Sequence, residues 1–117
     1  MEMTFRPTPE HEVRIADVCC VPRKRFTATA GDGYLMGAPE LVDEVISLSN
    51  TVAEINDKMY ICMKNGCVSF WVVDPSHKLV SITEGCVTTH FAARKGASIS
   101  CCVFNDRLPV EAILEEC

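Results

Sequence analysis

The feature that most constrains the fold is the segment 41–73, in which two apolar runs flank a helical pattern. Residues 41–47 are predicted as a strand whose faces are both mostly apolar, which is typical of a strand covered on each side. Residues 68–73 are predicted as another strand. Apolar residues between them recur at helical spacing and predict a helix over about 52–65; they are Val52, Ile55, Met59, Cys62 and Met63. The segment therefore predicts a βαβ unit with parallel strands and a right-handed crossover.

The flanking sequence predicts the elements around this unit. Residues 13–21 are predicted as a strand that Pro22 ends, and residues 23–34 as a loop. A short C-terminal helix is predicted over 108–114, with a proline near its start. Turn-like residues separate three short strands of an antiparallel meander, near 79–83, 87–92 and 98–103. A chain of 117 residues with this order of elements is predicted to form one α/β domain with a mixed sheet.

Composition and charge exclude several classes of protein. Hydrophobic residues make up 48% of the chain and charged residues 23%, which fits a globular protein rather than a disordered one. No apolar run approaches the roughly 18 residues of a membrane helix, and the N-terminus does not resemble a secretory signal. The net charge of −5 argues against a simple nucleic-acid coat protein, yet it allows an enzyme with an acidic metal site.

The eight cysteines raise the question of disulfides or a zinc site. None forms a C-x-x-C pair and no histidine lies at zinc-finger spacing, so a zinc site does not fit. We interpret the cysteines as reduced thiols that pack as small hydrophobic residues in a reducing cytoplasm. A thiol- or metal-sensing role is motivated only by their number.

Two acidic residues occupy strand positions where the alternating pattern calls for an apolar residue. Asp17 is the only charge on its face of the first strand, and Glu44 is the only charge on the face that it shares with Val42 and Ile46. Burying an isolated carboxylate is costly, and one divalent metal would satisfy both acids. The alternative for either acid is a salt bridge or an exposed edge, and Asp43 on the opposite face shows that the pattern is not strict.

Lys58 is the third candidate, because it borders the apolar stripe of the predicted helix. Its stem can pack while its ammonium reaches the C-terminal ends of the strands, where a cation could orient a water or steady charge on a phosphate. Spacing alone favours the alternative, a surface pair with Glu54. Further basic groups could contact phosphates or lie in solvated loops; they are Arg23, Lys24, Arg25, Arg94 and Lys95.

The chain resembles the bacterial putative restriction endonuclease family most clearly over residues 37–75, GAPELVDEVISLSNTVAEINDKMYICMKNGCVSFWVVDP. Members of that family typically read G-x-P-x-L-V-V-E-V-x-S-P-S, then a helix with a lysine, then a YW-[LI]-VDP strand. Upstream, the stretch VRIADVCCVPRKRF resembles the family's R-x-P-D-V-A-F-V strand, and RLPVEAIL resembles its closing segment. The likeness covers nearly the whole chain, and the motifs occur in the family's order.

The family is similar to PD-(D/E)XK nucleases, so the resemblance implies a restriction-endonuclease-like mixed sheet and a Mg²⁺ or Mn²⁺ site. Matched residue by residue, Asp17 is the PD aspartate and Glu44 is the (D/E)XK acid, and both would ligate the metal. Ile46 takes the lysine position of that motif, and Lys58 matches the family's helical lysine. Ser47 matches the serine of the E-V-x-S run, as a supporting group or only as the polar end of the strand.

Several positions depart from the family pattern. Ala16 stands where proline is usual before the aspartate, Asp43 where an aliphatic residue is common, and Leu48 where proline is usual. The family also carries an N-terminal helix and opening strands, so we interpret residues 1–117 as a single, N-terminally truncated nuclease-like domain. A sheet edge left exposed in this way favours a homodimer.

The sequence thus predicts a cytoplasmic, Mg²⁺- or Mn²⁺-dependent endonuclease that hydrolyses phosphodiester bonds in DNA, with Asp17, Glu44 and Lys58 as site residues. No membrane partner is expected. The alternative is a catalytically inactive remnant of the nuclease fold that serves as an interaction or dimerisation module, which the degenerate positions and the missing N-terminal part favour.

Overall fold

The structure is a computed structural model that describes residues 3–6, 14–16, 18–28, 35–47, 50–92, 98–100 and 107–109. No helix in these ranges is long and apolar enough to cross a membrane. In chain order the elements are β1 (Met3–Arg6), β2 (Arg14–Ala16), β3 (Val18–Cys20), α1 (Arg23–Ala28), β4 (Leu35–Met36), β5 (Leu41–Val45), α2 (Val52–Lys64), β6 (Ser69–Asp74), β7 (Leu79–Glu84), β8 (Val87–Ala92), β9 (Ser98–Ser100) and β10 (Arg107–Pro109).

The largest sheet has five strands in the order β3-β5-β6-β7-β8. β5 and β6 are parallel and α2 connects them, while the other neighbouring strands of this sheet are antiparallel. Parallel strands need such a crossover because a tight turn cannot join them. The predicted α/β class, the βαβ unit and the antiparallel hairpin that follows it are confirmed. A three-stranded sheet, β2-β1-β4, and the pair β10-β9 complete the described strands.

Local signals at both ends of α2 set its length. Thr51 is the N-cap, and its hydroxyl accepts a hydrogen bond from the Glu54 N–H at 3.1 Å. At the other end, the N–H groups of Asn65 and Cys67 both donate to the Cys62 carbonyl at 3.0 Å. Gly66 lies between them at φ +115°, a conformation that side-chain-bearing residues rarely adopt. The chain therefore leaves the helix in time to enter β6.

One face of the five-stranded sheet packs against α2 and forms the core. Its buried members come from several elements; they are Phe5, Cys19, Leu35, Ala38, Val42, Cys62, Cys67 and Phe70. The opposite face is also buried on the central strands, where Trp71 is 3% exposed and its indole N–H donates to the Ser69 hydroxyl at 2.8 Å. Burial on both sides explains why the centre of β6 reads as a continuous apolar run.

The N-terminal part of the chain differs from the sequence prediction. The expected strand 13–21 is divided between two sheets, since β2 pairs with β1 whereas β3 pairs with β5. The two-residue repeat of a strand is the same in either sheet, so the sequence pattern cannot reveal a change of sheet. The expected loop 23–34 begins instead with α1, in which Arg25 donates its N–H to the Pro22 carbonyl at 3.0 Å.

The C-terminal part also differs. Residues 98–103 were expected to extend the meander, but β9 pairs with β10 and places Ile99 opposite Leu108. Leu108 and Pro109, expected to open a helix, lie in β10, where proline is tolerated because a two-stranded ribbon has only edge strands. The rest of the expected helix, residues 110–114, lies outside the described residues.

Candidate active site

The fold brings Glu44 and Lys58 together. Glu44 is the penultimate residue of β5, and Lys58 lies in the second turn of α2. The Lys58 Nζ is 2.6 Å from the Glu44 Oε1, and their side chains are only 17% and 8% exposed, respectively. Lys58 therefore bonds inward to the sheet, unlike the surface pair with Glu54 that spacing alone favoured.

This ion pair sits near the carboxyl end of the parallel strands. Glu44 lies opposite Val72 in the register of β5 and β6, and the Ile46 N–H still donates to the Val73 carbonyl at 2.8 Å. Open α/β sheets commonly bind ligands beyond the carboxyl ends of their strands. Placing two charges here costs desolvation, and packing an apolar pair in their place would often be as stable. The pair is therefore weak evidence for a purely stabilising role.

Asp17, the second predicted metal ligand, lies outside the described residues. Its neighbour Val18 is described and pairs with Asp43, while Cys19 pairs with Val42. β3 is thus antiparallel to β5 next to the residues that lead to Glu44. The role of Asp17 stays a prediction.

Protein oxygen ligands for a magnesium ion would have to come from the carboxylates around Glu44. Among the described residues, no group of three or more His, Cys, Asp or Glu residues could hold a metal ion. The buried Glu44 carboxylate nevertheless supplies an oxygen ligand of the kind that Mg²⁺ prefers, and Mg²⁺ is usually held by one or two carboxylates together with waters and substrate phosphates. Glu44 is thus one described carboxylate of the required kind, and its Oε1 is in contact with the Lys58 ammonium.

A groove opens beside the ion pair, with a volume of about 440 Å³. Val52, Ile55 and Met59 of α2 contribute its apolar wall, and polar residues of β7 and β8 contribute its floor. This groove was not predicted from the sequence. The sequence contains one weak signal, since the hydroxyl residues Ser81 and Thr83 alternate with the apolar Val80 and Ile82 along β7.

A match of the sequence to a family profile shows the family to which this chain belongs. The profile of the Uma2 family, described as "Putative restriction endonuclease", matches residues 1–94 of the chain. The chain belongs to the Uma2 family. The resemblance inferred from the motifs around Glu44 and Lys58 is thereby confirmed.

The fold agrees with this membership. A solved structure described as a putative nuclease belonging to DUF820, from Anabaena variabilis ATCC 29413, superposes with a TM-score of 0.75 at 17% sequence identity. The match covers 97% of this chain and 68% of that one. At this identity the likeness shows a common fold. No curated protein matches the chain.

Two other residues of the Uma2-like segment have structural partners. Ser47 is exposed, and both its N–H and its hydroxyl bond to the Asn50 side-chain oxygen, at 2.9 and 3.1 Å. It therefore shapes the turn between β5 and α2. Asp74 of the VDP motif accepts the His77 N–H at 3.2 Å and pairs with the His77 ring at 2.8 Å. Slight burial raises the pKa of Asp74, but the hydrogen bonds from His77 outweigh it, so the pKa lies below its ordinary value.

Arg25 is held by the protein rather than presented for phosphate. Its guanidinium donates to the Met36 carbonyl at 3.0 Å and the Ala38 carbonyl at 3.1 Å, and it pairs with the Glu40 carboxylate. These contacts hold α1 against residues 36–40, which lead into β5. Arg94 and Lys95 lie outside the described residues.

The buried thiols have the character of core residues. Cys19, Cys62 and Cys67 are buried without disulfides. Burial raises the pKa of the Cys19 thiol, and the neighbouring Cys20 raises it further. A raised pKa keeps this thiol protonated and therefore poorly reactive.

Proposed function

We propose that this chain is a Mg²⁺- or Mn²⁺-dependent endonuclease of the PD-(D/E)XK type that hydrolyses phosphodiester bonds in DNA. The observation that carries the proposal is the buried Glu44–Lys58 contact of 2.6 Å near the carboxyl end of the parallel strands. Membership of the Uma2 family and the nuclease-type fold support it.

Asp17 and Glu44 are the proposed metal ligands. Support for Asp17 comes from the register of its neighbour, because Val18 pairs with Asp43 and Glu44 is the next residue of β5. The proposal extends this antiparallel register by one residue, and directly opposed residues of neighbouring strands share a sheet face. When bound, the ion would activate a water and offset charge on the scissile phosphate.

Lys58 is the proposed positioning and electrostatic group. Its ammonium has three N–H donors, and the contact with Glu44 fixes the head of an otherwise flexible side chain. A fixed cation in a partly dehydrated site stabilises developing phosphate charge more than a solvated one does. Lys58 can in this way hold a phosphate oxygen or the attacking water without having to reorganise.

Cleavage of supercoiled plasmid and of single-stranded DNA with Mg²⁺ or Mn²⁺ tests the proposal. Glu44→Gln keeps the shape of the side chain and removes its charge, so it should slow cleavage by at least about 100-fold. The matched control is Glu54→Gln, an exposed acid on α2, which should change the rate by no more than about twofold. Equal rates for wild type and Glu44→Gln would point to a contaminating nuclease and end the proposal.

The second candidate function, a non-catalytic dimerisation module, is favoured by β8. This strand forms the outer edge of the five-stranded sheet in the described part of the chain. Its sequence, VTTHFA, contains no Lys, Arg, Asp, Glu or Pro, and Val87 is 64% exposed. Sheet edges usually carry charges or proline that prevent pairing. We propose that two copies of the chain pair through their β8 edges, with or without catalysis.

Light scattering of the purified chain tests the homodimer. Thr89→Lys places a charge in β8 and should shift the dimer to monomer, whereas Ala53→Lys on the exposed surface of α2 should leave it unchanged. A monomeric wild type would exclude the homodimer. A dimer that survives Thr89→Lys would exclude this interface.

The proposed setting is the reducing cytoplasm, which suits buried cysteines without disulfides. Mass spectrometry of natively purified protein checks this point. If all cysteines are reduced and the protein carries no zinc, the thiol-sensor alternative is also excluded. Stable disulfides would contradict the cytoplasmic setting.

A further inference from the structure

The groove adjoins the candidate active site through neighbouring residues, although neither Glu44 nor Lys58 lines it. Val72 lines it and lies opposite Glu44 in the sheet, and Met59 lines it and follows Lys58 in α2. Ile46, two residues beyond Glu44 on β5, lines it as well. A polymer whose phosphate reaches Glu44 and Lys58 therefore has its next chemical group at the mouth of this groove.

The chemistry of the groove differs from that of the ion pair. Its lining contains no Lys, Arg, Asp or Glu. One wall is apolar, built by Val52, Ile55 and Met59, while Ser81 and His90 contribute to a floor with hydrogen-bonding groups. A phosphate would be poorly accommodated without a cation, whereas a flat, neutral group with apolar faces and a polar edge suits both surfaces.

Cross-strand hydrogen bonds hold the polar floor in place. The Ser81 hydroxyl and the His90 ring are 2.7 Å apart, and the hydroxyls of Thr83 and Thr88 are 2.8 Å apart. Each hydroxyl has one donor and two acceptor positions, so one such bond leaves capacity for a ligand. The floor is thus an ordered set of donors and acceptors rather than a row of mobile side chains.

We infer that the groove binds one unpaired nucleobase of the DNA strand whose phosphate lies at Glu44 and Lys58. This inference rests on the proposed function for the identity of the strand. Nucleobases have apolar faces and hydrogen-bonding edges, which match the α2 wall and the β7–β8 floor. A base inside a duplex cannot reach such a groove without leaving its stack, and this costs free energy. The chain should therefore favour single-stranded or locally opened DNA.

The test measures binding of a fluorescein-labelled single-stranded oligonucleotide by anisotropy, without added divalent metal so that no cleavage occurs. Thr88→Phe fills the groove, and Ala53→Phe places a phenylalanine on the exposed surface of α2, outside the groove lining. Thr88 and Ala53 are both exposed, so both variants should fold, which circular dichroism checks. We expect Thr88→Phe to weaken binding by about tenfold and Ala53→Phe to change it by no more than about twofold.

A second measurement needs no variant. Wild type should bind an oligonucleotide of abasic sugar-phosphate units at least about tenfold more weakly than the normal strand of the same length. Equal affinity for the two strands, or equal loss of affinity in both phenylalanine variants, would overturn the inference.

The results separate this inference from the proposed function. If Thr88→Phe removes base-dependent binding but cleavage does not depend on Glu44, the base-binding groove is supported and the nuclease proposal is rejected. If cleavage depends on Glu44 but binding does not depend on the bases, the nuclease proposal is supported and base binding in the groove is rejected. Absence of both binding and cleavage would reject both.

Discussion

The face of the large sheet that carries α2 has two regions of opposite character. Where α2 covers it, on β5 and β6, Val42 and Phe70 are fully buried and the Glu44–Lys58 pair is enclosed. Where α2 no longer covers it, on β7 and β8, the same face carries hydroxyls and His90 and opens into the groove. One helix thus divides a single sheet face into a closed region suited to fixed charges and an open region suited to a ligand.

The largest expected difference lies along one row of that face, in which Phe70 pairs with Thr83 and Thr83 pairs with Thr88. Phe70→Ala should lower the free energy of unfolding by about 4 kcal/mol, because it leaves a cavity under α2. Thr88→Ala should change it by about 1 kcal/mol, because the site is exposed but its hydroxyl is hydrogen-bonded to that of the buried Thr83. Urea denaturation measures both. Similar losses at the two sites would mean that the open region is as tightly packed as the covered one.

The next effect concerns the charges enclosed under α2. Lys58→Met should destabilise the fold by about 3 kcal/mol, because it leaves the Glu44 carboxylate buried without its cation. Adding Glu44→Gln to Lys58→Met should restore much of this loss. The control is Lys64→Met at the exposed end of α2, which should cost less than about 0.5 kcal/mol. A Lys58→Met protein as stable as its control would show that the pair is not enclosed.

A smaller effect is expected at the start of α2. Thr51→Ala removes the acceptor for the Glu54 N–H and should cost about 1 kcal/mol in the free energy of unfolding. Thr51→Ser retains a hydroxyl and should behave almost as wild type. If serine and alanine are equally destabilising, the cap does not hold the helix over the sheet.

The smallest effect is expected outside both regions, at the exposed contact between Asp74 and His77. Because His77 lowers the pKa of Asp74 in the folded state, this contact stabilises the fold above about pH 4 and loses its effect as the pH falls through the lowered pKa. His77→Ala should therefore be less stable than wild type at about pH 5, by at most about 0.5 kcal/mol, and equally stable near pH 2. A difference that grows on acidification would contradict this assignment.

The covered region could largely be predicted from the sequence, and the open region could not. Periodicity located β5, α2 and β6 because each is long enough to show its repeat, and the isolated acid Glu44 and the bordering Lys58 were both identified. Their mutual contact could not be deduced, since Glu54 offered Lys58 a nearer partner in sequence. The groove depends on how far α2 extends across the sheet, and α1 depends on long-range contacts of Arg25 with Met36 and Ala38. Such tertiary relations leave no local pattern.

The most direct test of the central claim is the single-turnover rate of DNA cleavage with Mg²⁺ or Mn²⁺ for Lys58→Met and Lys64→Met, each corrected for its folded fraction. If the enclosed ammonium acts on the phosphate or the attacking water, Lys58→Met should be slower than wild type by at least about 100-fold, while Lys64→Met stays within about twofold. Equal rates for the two lysine variants would contradict an active site at Glu44 and Lys58.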